Sequence, residues 1–469
     1  MRPYRQGRGI GLPASNQARL SSVFRSFLCL FALIFAACWA GPAMSTELRP
    51  VRFVLPNGLT VLFLEQHALP MVEAHALVRV GSAQDPPEKA GLANVVSSLL
   101  DEGTTTQTSA QIAEQIEFVG GSIGARASED YTSTTVRTLK KDVDLGLSLL
   151  ADILQRPSFP KHEFERVRSE LIGQVISEKD EPGTVAMKAF NQVVFSGHPY
   201  RWPVAGTEET LAKIAPQDVQ GFHAQYYLPN QTILSIVGDL SHDEAAALVA
   251  KYFGAWKRGS AQLPKLPKPR SLERSAVKLI DKELTQSSIM IGHVGINRSN
   301  PDYYAVSVMN QILGSGGFGS RLMDNIRDKQ GLAYGVMSLF DARLVPGPFY
   351  ISLQTRTEAT NQAIAGVLHE LRAMRDAPVS DQELADAKAY LMGSFALRLD
   401  TTSKLAQTLG LVEFHNLGLD YFSHYPQWIE RITKDDILRV AKQYLDPQRV
   451  ALIVVGDQGK AKVRLEPKP

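Results

Sequence analysis

Cysteine is almost absent from this chain of 469 residues, which contains only Cys29 and Cys38. Both lie within residues 1–43, a segment with five arginines and no acidic residue. Its apolar run at residues 27–40, FLCLFALIFAACWA, is followed by small residues. A basic start, a short apolar run and small residues together predict a secretory signal peptide over residues 1–43. The mature chain would have neither a disulfide nor a thiol nucleophile, which indicates the bacterial periplasm.

The apolar run is too short to span a bilayer comfortably, so we expect no membrane attachment after signal removal. Lipidation of Cys38 is the open alternative, although Phe35 is an unfavourable residue three places before a lipidated cysteine. Removing five of the 50 basic residues leaves 45 against 48 acidic ones, a net charge of about −3. This charge gives no support for nucleic-acid binding.

Three motifs of catalysis or nucleotide binding are also missing. No two of the ten histidines are spaced i, i+4, as a zinc-binding helix requires. The one literal GxSxG, GGSIG at residues 120–124, lies in a strand-like stretch and not between a strand and a helix, so it is no nucleophile elbow, and the glycine-rich run at residues 314–319 is not followed by GK[ST]. Serine hydrolysis and phosphate binding therefore lack support.

What the chain does contain is an internal repeat. Residues 218–239, DVQGFHAQYYLPNQTILSIVGD, match residues 436–457, DILRVAKQYLDPQRVALIVVGD, at an offset of 218. Glu163, Leu171 and Gly173 recur at an offset of 220, as Glu383, Leu391 and Gly393. Such gapless matches indicate duplicated halves. We predict one half at residues 46–256, a Pro-rich and basic linker at 257–271 and a second half at 272–462.

Each half has the pattern of a mixed α and β structure. VRFVLPNGLTVLFLEQ at residues 51–66 predicts a hairpin around Pro56-Asn57-Gly58. Helical periodicity follows at residues 88–101, 108–119, 141–155 and 161–178, and buried-strand patterns, ILSIVGD and ALIVVGD, end the halves. Strands bundled with several helices favour the α+β class over a doubly wound sheet.

The stretch GLANVVSSLLDEG, Gly91 to Gly103, combines an apolar stripe with a polar face. Pro86-Pro87 suit the start of a helix and Gly103 suits its end. The polar face, which we expect to be solvated, comprises Asn94, Ser97, Ser98 and Asp101.

This stretch and its flanks, VGSAQDPPEKAGLA and EGTTTQTSAQIAEQIEFVGGSI, resemble the N-terminal half of the M16 peptidases, the insulinase and mitochondrial-processing-peptidase family. Active members read GLAHxxEH in this frame. Here Asn94, Ser97 and Ser98 replace the His, Glu and His, and Gln174 occupies the position of the third zinc ligand. Neutral amide and hydroxyl oxygens are poor zinc ligands without His or Cys. We therefore expect no catalytic residue and no metal bound by this chain, with a site built from other ligands as the alternative.

The C-terminal half contains GSGGFGSRLMDNIRDKQGLAY, residues 314–334, which resembles the family stretch LGGGxxSRLxxxIRxKxGLAY. In the family an Arg and a Tyr seven residues apart contact the main chain of the substrate peptide. The resemblance assigns these roles to Arg327 and Tyr334, which can donate hydrogen bonds to carbonyl oxygens. The alternatives are a surface helix residue for Arg327 and a core aromatic for Tyr334.

Residues 120–139 resemble the family's edge-strand region, where an extended peptide can be added as a further strand; an ordinary strand is the alternative. The resemblance covers residues 48–462. It implies two M16-type halves with the LuxS/MPP-like metallohydrolase fold, facing each other like a clam.

The resemblance implies a non-catalytic, substrate-binding subunit of a periplasmic heterodimer. The partner would be an M16 subunit that carries HxxEH and binds the zinc, and the substrates would be extended peptides. A structural scaffold with no part in peptidase activity, and a peptidase that uses an unrecognised site, are the two alternatives.

Overall fold

A computed structural model describes residues 48–260 and 263–464, and the residues from Leu48 onward form one compact unit. The predicted signal peptide lies outside the described residues. None of the helices in the described ranges combines the length and the apolar character needed to cross a membrane.

The N-terminal half contains a six-stranded sheet in the spatial order β1-β2-β6-β3-β5-β4. Only β2 and β6 pair in parallel. The strands are β1 Val51–Val54, β2 Thr60–Glu65, β3 Met71–Val78, β4 Ser122–Ala127, β5 Thr132–Leu139 and β6 Thr232–Gly238. The helices are α1 Leu92–Ser97, α2 Ser109–Phe118, α3 Val143–Gln155, α4 Lys161–Ser177, α5 Pro182–Val194, α6 Glu208–Ala212, α7 Pro216–Tyr226 and α8 His242–Phe253.

The C-terminal half contains a five-stranded sheet in the order β7-β11-β8-β10-β9, in which only β7 and β11 are parallel. The strands are β7 Ala276–Asp281, β8 Gln286–Val294, β9 Ala333–Phe340, β10 Pro348–Arg356 and β11 Ala451–Gly456. The helices are α9 Tyr303–Asn310, α10 Thr360–Asp376, α11 Asp381–Leu397, α12 Thr402–Phe414, α13 Tyr421–Glu430, α14 Lys434–Tyr444 and α15 Gln458–Ala461.

These sheets and helices confirm the α+β class and most of the predicted elements. The hairpin forms around Asn57, whose side-chain amide donates to the carbonyl oxygens of Phe253 and Trp256. Helices α2, α3 and α4 lie within two residues of the predicted ranges. The helix predicted over residues 88–101 is wrong in extent, because its regular α-helical part is only α1.

The repeat seen in the sequence recurs in three pairs of helices of equal length. Helices α4 and α11 have 17 residues each, α5 and α12 have 13, and α7 and α14 have 11. The described residues between the halves, 257–260 and 263–271, form neither helix nor strand.

The halves exchange one helix each across their inner sheet faces. Helix α5 of the N-terminal half packs on β8 and β11, and α12 of the C-terminal half packs on β3 and β6. Phe190 of α5 is fully buried in one cluster with Met290 and Ile453 of the C-terminal sheet. Leu409 of α12 is likewise buried with Leu62 of the N-terminal sheet. Neither sheet can bury its inner face without the other half.

The turns of the two edge hairpins also meet, around the guanidinium of Arg343. Arg343, in the β9–β10 loop, lies 2.9 Å from Glu129 of the β4–β5 turn and 2.6 Å from Asp341. Its guanidinium carbon lies 4.8 Å from the ring centroid of Tyr200, whose hydroxyl donates to Asp130. Arg343 therefore joins the two halves through ion pairs in which the guanidinium is largely buried and both carboxylates are partly exposed.

We expect Arg343→Met to lower the free energy of unfolding by about 2–3 kcal/mol, because Glu129 and Asp341 would face each other without their shared cation. Urea denaturation measures this loss. As a matched control, Arg449→Met removes an exposed arginine paired with Asp446 and should cost at most about 1 kcal/mol. Equal losses of unfolding free energy in both variants would contradict the stabilising role of the Arg343 ion pairs.

His75 of β3 generates a pH dependence of stability. It is 3% exposed beneath α12, and burial lowers its pKa to about 4. The unfolded chain binds a proton near pH 6.5, whereas the folded chain binds it only near pH 4, so stability falls as pH falls through this window.

We expect His75→Gln to reduce the loss of unfolding free energy between pH 6.5 and pH 5 by about 2 kcal/mol. Urea denaturation at the two pH values measures the loss. His162→Gln, at an exposed position, should leave it unchanged. An identical pH dependence in the wild type and the His75→Gln variant would contradict this prediction.

Candidate functional site

Helix α1, which carries the positions of the first zinc ligands, is short and tightly capped. Gly91 adopts a φ of 101° at its N-terminus, a conformation that favours glycine. The carboxylate of Asp85 accepts hydrogen bonds from the backbone N–H groups of Gly91 and Ala93, at 2.8 and 2.9 Å. The side chains on its other face, including Val95 and Val96, are fully buried. The helix is thus stabilised by its cap and its core.

The polar face of this stretch is not solvated throughout, which corrects the expectation from the sequence. Ser97 is 1% exposed, and its hydroxyl donates to the carbonyl oxygen of Asn94 at 2.9 Å. Asp101 is partly buried, and burial raises its pKa. Ser97 is the last residue of α1 and lies on its buried side, whereas Asp101 lies in the turns that follow the early end of the helix.

The residues at the positions of the zinc site, ligands and general base alike, do not fit a zinc centre. The hydroxyl hydrogen of Ser97 is directed to a backbone carbonyl, and the amide of Gln174 lies in solvent, 3.4 Å from Glu178. Across residues 48–260 and 263–464, no group of three or more His, Cys, Asp or Glu side chains could hold a metal.

The structure brings Arg327 and Tyr334 together. Arg327 lies in a π-helical segment, Met323–Lys329, and Tyr334 lies near the start of the edge strand β9. The guanidinium carbon of Arg327 is 5.6 Å from the Tyr334 ring centroid. Tyr334 is 92% exposed, so it is not a core aromatic. Both side chains can therefore donate hydrogen bonds to one ligand.

Phe318 is a third member of this cluster that the sequence reasoning missed. It is 72% exposed, and its ring centroid lies 4.7 Å from the guanidinium carbon of Arg327. The available signal was a lone aromatic within the glycine-rich run. The two rings hold the guanidinium by cation–π contact and leave its N–H groups for hydrogen bonding.

The first residue of the glycine-rich run, Gly314, lies where two backbone segments approach each other closely. A Cβ atom at Gly314 would lie 2.5 Å from Ser338 Oγ and 2.7 Å from Ser338 N, which excludes a side chain there. Arg321, just after the run, forms a two-point ion pair with Glu383 of α11, at 2.6 and 3.0 Å. These contacts hold the segment that carries Phe318 and Arg327 onto the C-terminal half.

The edge strand predicted from residues 120–139 is confirmed as an edge. Strand β4 is the last strand of the N-terminal sheet, as β9 is of the C-terminal sheet. Tyr334 also lines a groove of about 790 Å³ beside β9. Peptide addition at β4 stays a prediction.

Comparison with known proteins agrees with this architecture. Residues 60–208 match the family model described as insulinase, peptidase family M16, and residues 213–391 match the model of the peptidase M16 inactive domain. The crystal structure of a peptidase M16 inactive domain from Pseudomonas fluorescens is 30% identical, with a TM-score of 0.83, over 90% of this chain and all of that one. The chain belongs to the M16 family.

Other proteins are similar over most of their length. An uncharacterized zinc protease of Mycobacterium leprae is 28% identical over 416 residues, 88% of this chain and 92% of that protein. The uncharacterized zinc protease YmxG of Bacillus subtilis is 25% identical over 75% of this chain and 85% of its own length. A protease from Helicobacter pylori shares the fold, with 21% identity and a TM-score of 0.81, over 87% of this chain and 99% of that one. The family resemblance and the two M16-type halves inferred from the sequence are thus confirmed.

We expect Glu383→Gln to lower the free energy of unfolding by about 1–2 kcal/mol at pH 7, because it removes the charge that pairs with Arg321. This ion pair holds the pKa of Glu383 down, at about 2. Its stabilisation is present above the unfolded pKa and is lost as pH falls towards 2, so the difference from the wild type should shrink between pH 7 and pH 3.

Urea denaturation at both pH values checks the Glu383 prediction. The matched control is Asp381→Asn. Asp381 lies on α11, like Glu383, and forms an exposed ion pair with Lys434 of α14, so its loss should change stability little. A Glu383→Gln variant as stable as the control at pH 7 would refute the role of the ion pair.

Proposed function

We propose that this M16 chain is the non-catalytic, substrate-binding subunit of a periplasmic zinc peptidase and acts with a partner M16 subunit that carries HxxEH. The observation that supports this most directly is a contrast within one chain. The four positions of the zinc site hold Asn94, Ser97, Ser98 and Gln174, whereas Arg327 and Tyr334 are close together, Arg327 partly exposed and Tyr334 almost fully so.

Arg327 has the charge and the freedom needed to bind a peptide main chain. Within the described residues its carboxylate contact is Asp328, at 3.4 Å, which is too long for a strong ion pair. The guanidinium can donate to a peptide carbonyl oxygen, and the Tyr334 hydroxyl can donate to a second acceptor. A main chain bound at two points is oriented as well as retained.

In the proposed complex the zinc belongs to the partner, where it would polarise the scissile carbonyl and activate water. The contribution of this chain is to place the peptide for that attack. Its matches to the inactive-domain model and to proteins named zinc proteases support membership of such a peptidase system.

The test is cleavage of fluorogenic peptides by the HxxEH subunit from the same organism, with and without mature residues 44–469 of this chain. We expect strong activity only in the mixture. Arg327→Ala should lower kcat/KM about 10-fold to 100-fold, because a charge-assisted hydrogen bond to the substrate is lost. Arg449→Ala, at an exposed position, serves as the control.

Zinc analysis of each subunit completes this experiment. We expect stoichiometric zinc in the partner and none in the mature form of this chain. Full activity of the partner alone would indicate that this chain is a scaffold. Zinc-dependent cleavage by this chain alone would show that it has an unrecognised site.

A further inference from the structure

The groove beside β9 exists because the exchanged helix covers only part of the C-terminal sheet. Helix α5 packs on β11 and β8, whereas β10 and β9 continue the same sheet face beyond it. The groove that remains, about 790 Å³, is lined by α5, β8, β9 and β10. Its volume lies within the range of small-ligand and side-chain sites.

One end of the groove is apolar and rich in methionine. Alternate residues of β10 share one face of the sheet, and Ser352 of that row pairs with Met290 on one side and Met337 on the other. Met187 of α5 and Tyr350 of β10 complete this end. Methionine side chains adapt to differently shaped apolar groups, so this end suits an unbranched or aromatic side chain.

The other end is polar and carries the only charge of the lining. Two pairs along the β8–β10 ladder bring Gln354 next to Ser288 and Arg356 next to Gln286. The lining contains no Asp or Glu, and Arg356 has no ion-pair partner among the described residues. Tyr334 lies at this same end, because its neighbour Ala333 pairs with Thr355.

We propose that this groove selects an extended peptide segment by binding an apolar side chain at its methionine end and a carboxylate at Arg356. The proposal rests on the function inferred above and names a substrate class for it. Arg327 contacts Tyr334, which lines this same end of the groove. A lysine or arginine at that position of the peptide would meet the cation of Arg356 and be disfavoured.

The distance between the two ends sets the spacing of the recognised residues. Ser352 and Arg356 are four residues apart on β10, about 13 Å in an extended strand. An extended peptide beside β10 covers this distance in about four residues. Fewer residues suffice because the long side chain of Arg356 can reach towards the carboxylate. The recognised pattern is therefore an apolar residue and a carboxylate with two or three residues between them. The carboxylate comes from Asp, Glu or the chain terminus.

Fluorescence anisotropy on the mature chain alone tests this proposal with labelled ten-residue peptides of Ser, Thr and Ala. The reference peptide has Met at position 4 and Glu at position 7. Further peptides replace Glu with Gln or Lys, replace Met with Ser, or supply the carboxylate as a free C-terminus at the same spacing. We expect the reference to bind about 10-fold or more tightly than the Gln, Lys and Ser peptides, and salt to weaken this preference.

Two variants distinguish the contributions of the two ends of the groove to peptide binding. Arg356→Gln should abolish the preference for Glu over Gln and keep the preference for Met, and Met337→Ser should do the reverse. Both positions are exposed, so the fold should tolerate the changes. Arg431→Gln, at an exposed arginine that does not line the groove, is the matched control and should bind like the wild type.

Equal affinity for all peptides, no binding to any of them, or unchanged discrimination by Arg356→Gln would overturn the proposal. The free C-terminus peptide shows which source of the carboxylate is recognised. This assay contains no partner, so its outcome is separate from the cleavage assay. If this chain stimulates cleavage but shows no peptide preference, only the proposed selection by the groove is refuted. If it shows the expected preferences but does not stimulate cleavage, only the proposed role as a peptidase subunit is refuted.

Discussion

The reciprocal exchange of α5 and α12 is the packing constraint on which the rest of this structure depends. Each sheet has one face covered by helices of its own half. On the other face, α5 of the N-terminal half covers β8 and β11, and α12 of the C-terminal half covers β3 and β6. Exposing either inner face would return fully buried side chains to water, at roughly 1.5–3 kcal/mol for each large apolar side chain. The halves therefore stabilise each other, and the Arg343 ion pairs add a polar connection at their edge hairpins.

The same exchange creates the candidate binding surface. Helix α5 packs mainly on β8 and β11, and the groove with Tyr334 lies beyond it along β10 and β9. The π-helical segment, held by Arg321 and Glu383, places Arg327 over the same strand edge. The packing between the halves and the position of the groove are thus consequences of a single arrangement.

Helix α1 lies in the frame of the family's zinc-binding helix, and its own cap and core stabilise it. The glycine and aspartate contacts begin the helix, and its apolar side chains are buried. These are requirements of folding, and they are independent of metal binding. Ser97, with its hydroxyl bonded to the carbonyl of Asn94, is accommodated in the interior where a charged carboxylate would need a partner.

The sequence alone determined the class, the duplication and the family, because these depend on local periodicity and on motifs of fixed spacing. Patterns of apolar residues predicted α2, α3 and α4 closely, and the Arg327–Tyr334 spacing identified a pair that the structure brings together. Tertiary structure alone decided where α1 ends, that Ser97 is buried, and that Phe318 joins the guanidinium. It also decided which half covers which sheet, because the partner of an apolar helix face is set by packing between distant segments and leaves no local pattern.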